Sequence, residues 1–298
     1  MKNLFSVEGK VVVVTGGSRG IGEMIAAGYL ANGAKVYITS RKAEICNASA
    51  ERLAEAWGGE CISIPADMAT IEGIEGFVSE LSSREAHVDI LVNNAGVGLS
   101  GPAELADMEA TRLIFETNLF GYLRMARAVL PKMREQGEGQ VFNVSSQLGR
   151  ILIPNLSMYC ATKFGVEAMF ETMAYELAPF GVEVTIIQPG GYPTKIWDNG
   201  RQYSDAMLAR AEEDRLEAYD AHIQMARGIL NGEYSTDPND VPRAIAEIMA
   251  MPPGTRPLRR PVHPNTAATD AANGAMAQIQ ASVLGGGAYK SWHDAVKD

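Results

Sequence analysis

The stretch Val11–Ala27, "VVVVTGGSRGIGEMIAA", decides the fold. Four β-branched residues in a row read as a strand buried on both faces, as in a parallel sheet. A glycine cluster follows, and beyond it the apolar residues return at helical spacing. Such a turn presents backbone N–H groups and a helix dipole to an anion, and missing side chains let a phosphate come close. The glycines Gly16, Gly20 and Gly22 stand in a G-x-x-x-G-x-G spacing, which differs from the common G-x-G-x-x-G dinucleotide fingerprint. "GGSRG" also matches G-x-S-x-G, the nucleophile elbow of α/β-hydrolases, which would make Ser18 a nucleophile. The elbow needs an oxyanion loop after an earlier strand, and only ten residues precede Val11. A dinucleotide site at the first strand–helix turn needs nothing upstream.

Outward from this stretch, strand-like and helix-like runs alternate. "KVYIT", "CISIPAD", "DILVNNAG", "QVFNVSS" and "VEVTIIQPG" read as strands, and "AERLAEAW" and "IEGFVSELSS" as helices. Longer helices are expected over roughly 108–135 and 158–178. This is an α/β pattern: a Rossmann-type, doubly wound parallel sheet with helices on both faces. We expect one dinucleotide-binding domain over 1–263, with an amphipathic lid at 195–235, and a C-terminal extension over 264–298. "VPRAIAEIMAM" reads as a short helix and "RPLRRPVHP" as an edge strand interrupted by prolines. Within the extension, 272–283 has weak helical potential and "LGGGAYKSW" reads as flexible.

Bulk properties narrow the classes of function. The 298 residues are 46% hydrophobic, enough for a sizeable core, and the formal net charge is -10. That charge argues against nucleic acid as a partner. No run approaches the length needed to cross a bilayer, and the start "MKNLFSVEGK" lacks a signal-peptide core. The three cysteines (Cys46, Cys61 and Cys160) are expected to be reduced thiols in a cytoplasmic protein. The four histidines are far apart, and no metal site is expected.

"YCATK" puts Tyr159 and Lys163 four apart, on one face of a predicted helix. A phenol is a poor acid–base group at neutral pH, but a nearby ammonium stabilises the phenolate and lowers its pKa. The pair is then a candidate general acid/base. "NVSSQLG" offers Ser145 and Ser146 at a strand end, and "TNLFG" places Asn118 inside a helix, where a polar residue needs a reason. Ligands bind at the carboxyl ends of strands in open α/β sheets, so the glycine loop, "NNAG", "SS" and "QPGG" should converge.

The ordered set "TGGSRGIG", "PADM", "NNAG", Asn118, Ser146, "YCATK" and "PGGYPT" resembles the short-chain dehydrogenase/reductase family, of the simple single-domain type. The match runs over roughly residues 7–195. Ser146 is preferred to Ser145 because it lies the family's usual thirteen residues before Tyr159. The resemblance implies that Tyr159 donates a proton to a substrate carbonyl oxygen and that Ser146 hydrogen-bonds it. Lys163 would lower the Tyr159 pKa and bind the nicotinamide ribose, and Asn118 would hold a water for proton supply. It also implies cofactor contacts from Gly16, Ser18, Arg19, Gly20, Ile21 and Gly22, from Ser40 and Arg41, and from Asp67 and Met68. Further contacts would come from Asn94, Ala95, Gly96, Tyr159, Lys163, Pro189, Gly190 and Thr194.

The second strand ends in Ser40, Arg41 and Lys42, without the acid that reads a ribose 2′-hydroxyl. With Arg19 nearby, Arg41 can make charge-assisted bonds to a 2′-phosphate, so NADP(H) is the expected cofactor. Val97, Leu148, Ile153, Tyr192 and Trp197 are the expected substrate pocket. Leu99, Ile196, Tyr203, Met207, Tyr219, Ile223 and Met225 are further candidates, although ordinary core is the commoner fate of such residues. Arg256, Arg259 and Arg260 read first as an exposed, charged sheet edge and second as a binding patch.

The leading expectation is NADPH-dependent reduction of a hydrophobic ketone or aldehyde by a homodimer or homotetramer. The family usually forms its contacts through the two long helices. The alternatives are the reverse, oxidative direction, as in alcohol or hydroxysteroid dehydrogenases, a non-catalytic NADP(H) sensor, and the Ser18 hydrolase.

Overall fold

A computed structural model describes residues 5–231 and 235–297. Seven parallel strands form one sheet in the order β3-β2-β1-β4-β5-β6-β7. They are β1 Val11–Thr15, β2 Lys35–Thr39, β3 Cys61–Ser63, β4 Ile90–Asn93, β5 Gly139–Val144, β6 Val182–Pro189 and β7 Arg259–Val262. The order reverses between β1 and β4, so the carboxyl ends of these two strands splay their following loops apart and open a crevice.

Alternating residues of β1 explain why both faces are covered. Val11 and Val13 point into a core with helix α3 (Ile71–Arg84), helix α5 (Gly121–Gln136) and helix α6 (Ser157–Leu177). Val12 and Val14 point the other way, against helix α1 (Gly20–Leu30), helix α2 (Ala43–Trp57) and helix α10 (Asp240–Met249).

The helix expected over 108–135 is not one regular helix. Helix α4 (Met108–Phe115) passes through a π-helical turn, Glu116–Phe120, into α5. Such turns occur often at functional sites. The lid is three helices, α7 (Ile196–Leu208), α8 (Glu213–Ala218) and α9 (Asp220–Leu230). Residues 232–234 of the expected lid lie outside the described residues. Met207, Leu208 and Ile223 pack with Val97, Leu99 and Ile114 into a third core, and the Ser100 backbone N–H donates to Ser204 Oγ at 2.9 Å.

Two expectations about the C-terminal third are corrected. In the extension, helix α11 at Ala267–Leu284 includes the helical potential read at 272–283, and a further helix, α12, follows at Lys290–Ala295. "LGGGAYKSW", read as flexible, holds a 3-10 turn, Gly287–Tyr289, and the start of α12, with the Tyr289 and Trp292 rings 5.7 Å apart, and just beyond it His293 stacks on Tyr175 of α6 at 6.1 Å. The three arginines are not a uniformly exposed edge. The Arg259 side chain is only 2% exposed, and it donates to the buried carboxylates of Glu167 (3.1 Å) and Glu171 of α6. Arg256 reaches Glu183 at 2.8 Å and is largely covered, and only Arg260 has the expected exposed position. Pairing to α6 turned arginine, read as a surface residue from composition, inward.

Removing one partner from a buried ion pair leaves an uncompensated charge and costs about 3–5 kcal/mol. Arg259→Met should therefore lower the unfolding free energy by about that amount, measured by urea denaturation. A loss below ~1 kcal/mol would put Arg259 among ordinary surface arginines.

Candidate active site

The glycine loop is built by close approach. Gly16 and Gly20 have φ of 66° and 59°, in the left-handed region that disfavours side chains. A Cβ on Gly22 would collide with the Asn94 side-chain nitrogen and the Gly16 carbonyl oxygen. Asn94 Nδ2 donates to the Thr15 carbonyl at 2.9 Å, and Thr15 Oγ1 accepts from the N–H groups of Asn94 (2.9 Å) and Ala95 (3.0 Å). The first N–H groups of α1 precede any intrahelical acceptor, and the residues that carry them, Gly20, Ile21 and Gly22, line one cleft.

That cleft has a volume of about 700 Å³. Every expected cofactor-contact residue lines it, from Gly16 and Arg41 to Asp67, Gly96 and Thr194. The glycine cradle and the basic end of β2 fit a dinucleotide phosphate. No histidine lines the cleft among the described residues, so Ser18 has no imidazole base there and the hydrolase reading falls.

Ser146, Tyr159 and Lys163 stand on one wall of the cleft. Ser146 opens a short 3-10 turn, Gln147–Gly149, and its hydroxyl accepts from the Leu148 N–H at 3.1 Å and reaches the Pro189 carbonyl at 3.4 Å. Tyr159 is half-buried near the start of α6. Burial pushes its pKa up to about 12, and the Ser146 hydroxyl pulls it down. Lys163 is buried, and its Nζ donates to the Val144 carbonyl at 2.9 Å and lies 5.7 Å from the Tyr159 ring centre. Burial lowers its pKa to about 7, against the raising effect of Glu167. Burial is thus the larger influence on the Tyr159 phenol, and the Lys163 ammonium, held on the Val144 carbonyl, faces the ring rather than bonding the hydroxyl.

Asn118 is the one expected catalytic residue that does not line the cleft. It is fully buried in the π turn. Its Oδ1 accepts from the Val97 N–H (2.8 Å), and its Nδ2 donates to the Val97 carbonyl (3.0 Å) and to Thr162 Oγ1 (3.3 Å). The side chain thus ties the end of β4 to the residue before Lys163. The polar residue that needed a reason inside a helix has one.

Val97, Leu148, Ile153, Tyr192 and Trp197 all line the cleft. Most of the Tyr192 ring is core, with its hydroxyl donating to the Val262 carbonyl at 3.1 Å. Of the further candidates, Leu99 and Ile196 line the wall, Met207 and Ile223 are lid core, and Met225 is exposed. The sequence reading missed Ile151, Leu156, Ile229 and Leu230, which complete the apolar end. Ile229 and Leu230 carried a usable signal, the apolar end of the lid's last helix.

A nucleotide-sized cleft at a topological switch point, with a Ser–Tyr–Lys wall, defines a nicotinamide-type oxidoreductase. The family model for short chain dehydrogenases matches residues 10–204, and the chain belongs to that family. It is 36% identical over 254 residues to an uncharacterized oxidoreductase, YusZ, of Bacillus subtilis, covering 85% of this chain and 89% of the relative. It is 34% identical to a 3-ketodihydrosphingosine reductase of Bacteroides thetaiotaomicron, covering 70% and 73%. A short-chain dehydrogenase from Streptomyces avermitilis has a similar structure, with a TM-score of 0.74 and 31% identity over 93% of this chain and 96% of that one. A metagenomic short-chain oxidoreductase in complex with NADP aligns with a TM-score of 0.68 and 26% identity, covering 87% and 98%. A Burkholderia phymatum member in complex with NAD aligns with 0.76 and 26%, covering 93% and 96%.

Proposed function

We propose that the protein reduces a bulky apolar ketone or aldehyde with NADPH. The observation that carries this reading is the position of Tyr159 in the cleft. The glycine loop and the basic end of β2 line the same cleft as Tyr159, and so do the apolar residues Leu148, Ile153, Trp197 and Leu230. NADPH, when bound, supplies the hydride to the carbonyl carbon. The Tyr159 hydroxyl gives its proton to the carbonyl oxygen, and the Ser146 hydroxyl orients that oxygen by donating a hydrogen bond. Lys163 holds the ribose end and faces the phenol, ready to stabilise it once the proton leaves. Asn118 fixes the wall behind Lys163, and its stretch of π turn is the proposed path for proton resupply through water.

The Tyr159 phenol, its pKa raised by burial, carries the proton that reduction of a carbonyl calls for. The intact Tyr159–Lys163 pair weighs against a sensor without activity. For the cofactor, the end of β2 offers Ser40, Arg41 and Lys42 to the cleft, and Arg41 lies 5.9 Å over the Tyr203 ring of α7. Cationic donors without a carboxylate suit a 2′-phosphate. The similar structure that carries NAD makes this discrimination the point to test. The assembly proposed is a homodimer or homotetramer in the cytoplasm. Among the described residues no helix is long and apolar enough to cross a membrane.

Tyr159→Phe should retain NADPH binding and lower kcat by a factor of at least ~100 in ketone reduction followed by NADPH absorbance. In the wild type, kcat/KM should fall as pH rises through about 7, where Lys163 loses its charge. Native turnover in Tyr159→Phe would remove the phenol from the chemistry, and a flat wild-type profile near pH 7 would remove the Lys163 charge. Ser40→Asp combined with Arg41→Ala should lower the NADPH/NADH preference in kcat/KM by at least ~100-fold, from the loss of two charge-assisted bonds of about 1.5–3 kcal/mol. An unchanged ratio would leave Arg41 a surface charge. Light scattering at micromolar concentration should give an even-numbered assembly, and a monomer would remove the oligomer from this account.

A further inference from the structure

The Ser146 turn is three residues long, and 3-10 geometry gives it poor internal hydrogen bonds. What holds it in place comes from elsewhere. Arg150, at its end, reaches between the carboxylates of Glu167 (3.4 Å) and Glu171 (3.5 Å) on α6. A Cβ on Gly149 would lie 2.8 Å from Glu167 Cγ, so the turn sits directly on the helix that carries Tyr159 and Lys163.

Two further tethers come from the chain after β7. Gln147 Nε2 donates to the Asn265 carbonyl at 2.9 Å. Asn273, in the middle of α11, has more reach. Its Oδ1 accepts from Arg150 Nε at 3.1 Å and from Gln188 Nε2 at 3.3 Å, and its Nδ2 donates to Gln188 Oε1 at 2.8 Å. Gln188 precedes Pro189, whose carbonyl Ser146 Oγ reaches, and its Nε2 also donates to Glu167 Oε1 at 2.9 Å. One amide therefore grips the end of the Ser146 turn and the strand on its other side.

The helix that carries this amide does little else for the core. Thr269 is the one residue of α11 that is fully buried among those described. Asn273 and Gly274 both disfavour a helix interior, Gly by about 1 kcal/mol relative to Ala. Helix propensity and core packing alike leave the asparagine unexplained, whereas its bonds to Arg150 and Gln188 account for it.

We propose that the segment after β7 is a brace for the Ser146 turn, with Asn273 as the positioning residue that fixes where the Ser146 hydroxyl stands relative to Tyr159. This rests on the catalytic reading of Ser146 and Tyr159 given above. Displacement of a reacting group by about 1 Å can cost ~100-fold in rate. Alanine at 273 removes the amide and improves helix propensity, so fold stability and activity should separate.

The test compares wild type, Asn273→Ala, Asn273→Asp and, as a control on the exposed face of α11, Ser282→Ala. Asn273→Ala should lower kcat by about ten- to a hundredfold with Tm close to wild type and NADPH Kd within about twofold. Amide hydrogen exchange at Leu148 and Gly149 should speed up in the same variant. Asn273→Asp keeps the acceptor for Arg150 and should recover part of the loss, and Ser282→Ala should match wild type. Unchanged kcat and exchange in Asn273→Ala overturn the brace, as does a general loss in which kcat and Tm fall while the NADPH Kd rises. A wild-type protein that turns over no ketone counts against the reading of Ser146 itself, whereas the exchange rates still decide the brace.

Discussion

The Asn94 side chain holds the two halves of the crevice in register. Its amide donates to the Thr15 carbonyl at the end of β1, and its own N–H donates back to Thr15 Oγ1. β1 and β4 are neighbours at the point where strand order reverses, and their loops would otherwise part freely. With the latch closed, the glycine loop is pressed against Asn94 so tightly that residue 22 cannot carry a Cβ. The turn of α1 that follows is then fixed with its unpaired N–H groups at the cleft. The phosphate cradle is a consequence of one amide and one hydroxyl, together with the glycines that let them approach.

The acid–base wall depends on the same edge of the sheet. Asn118 binds both backbone groups of Val97, four residues past the end of β4, and reaches Thr162 beside Lys163. The Val144 carbonyl at the end of β5 takes the Lys163 ammonium. Ser146 leaves β5 and touches the Pro189 carbonyl that ends β6. Each chemical group is thus referred to a strand terminus or to backbone just beyond one. Sites carried on regular elements hold their geometry more closely than loop-borne ones. The lid, by contrast, packs on its own small core over Val97 and Leu99, and this separates the apolar end of the cleft from the rigid end.

The sequence made the fold and the rigid end of the site legible because both depend on local chemistry. "VVVVTGG" can hardly be other than a buried strand entering a turn, and Tyr159 and Lys163 share a helix face whatever surrounds them. Properties set by distant partners were not legible. Arg259 looks like an edge charge until Glu167 and Glu171, about ninety residues earlier in the chain, are placed beside it. The direction of the Tyr159 pKa shift depends on desolvation, which the folded surroundings set. The glycines of "LGGGAYKSW" suggested flexibility, whereas the stretch folds as a 3-10 turn and the start of α12, followed by His293 stacked on the distant Tyr175. The apolar lining contributed by Ile229 and Leu230 depends on how the lid folds back, which periodicity does not encode.

The central claim is that this cleft moves a hydride from NADPH to a carbonyl carbon. Its most direct test follows the hydride itself. NADPH carrying deuterium at nicotinamide C4 is incubated with the protein and a panel of aryl and alkyl ketones, and the products are analysed by mass spectrometry. The account predicts deuterium at the carbinol carbon of at least one alcohol, delivered from only one of the two C4-labelled isomers of NADPH. Bound NADPH that leaves every ketone unreduced, or alcohol formed without deuterium at that carbon from both isomers, would contradict it.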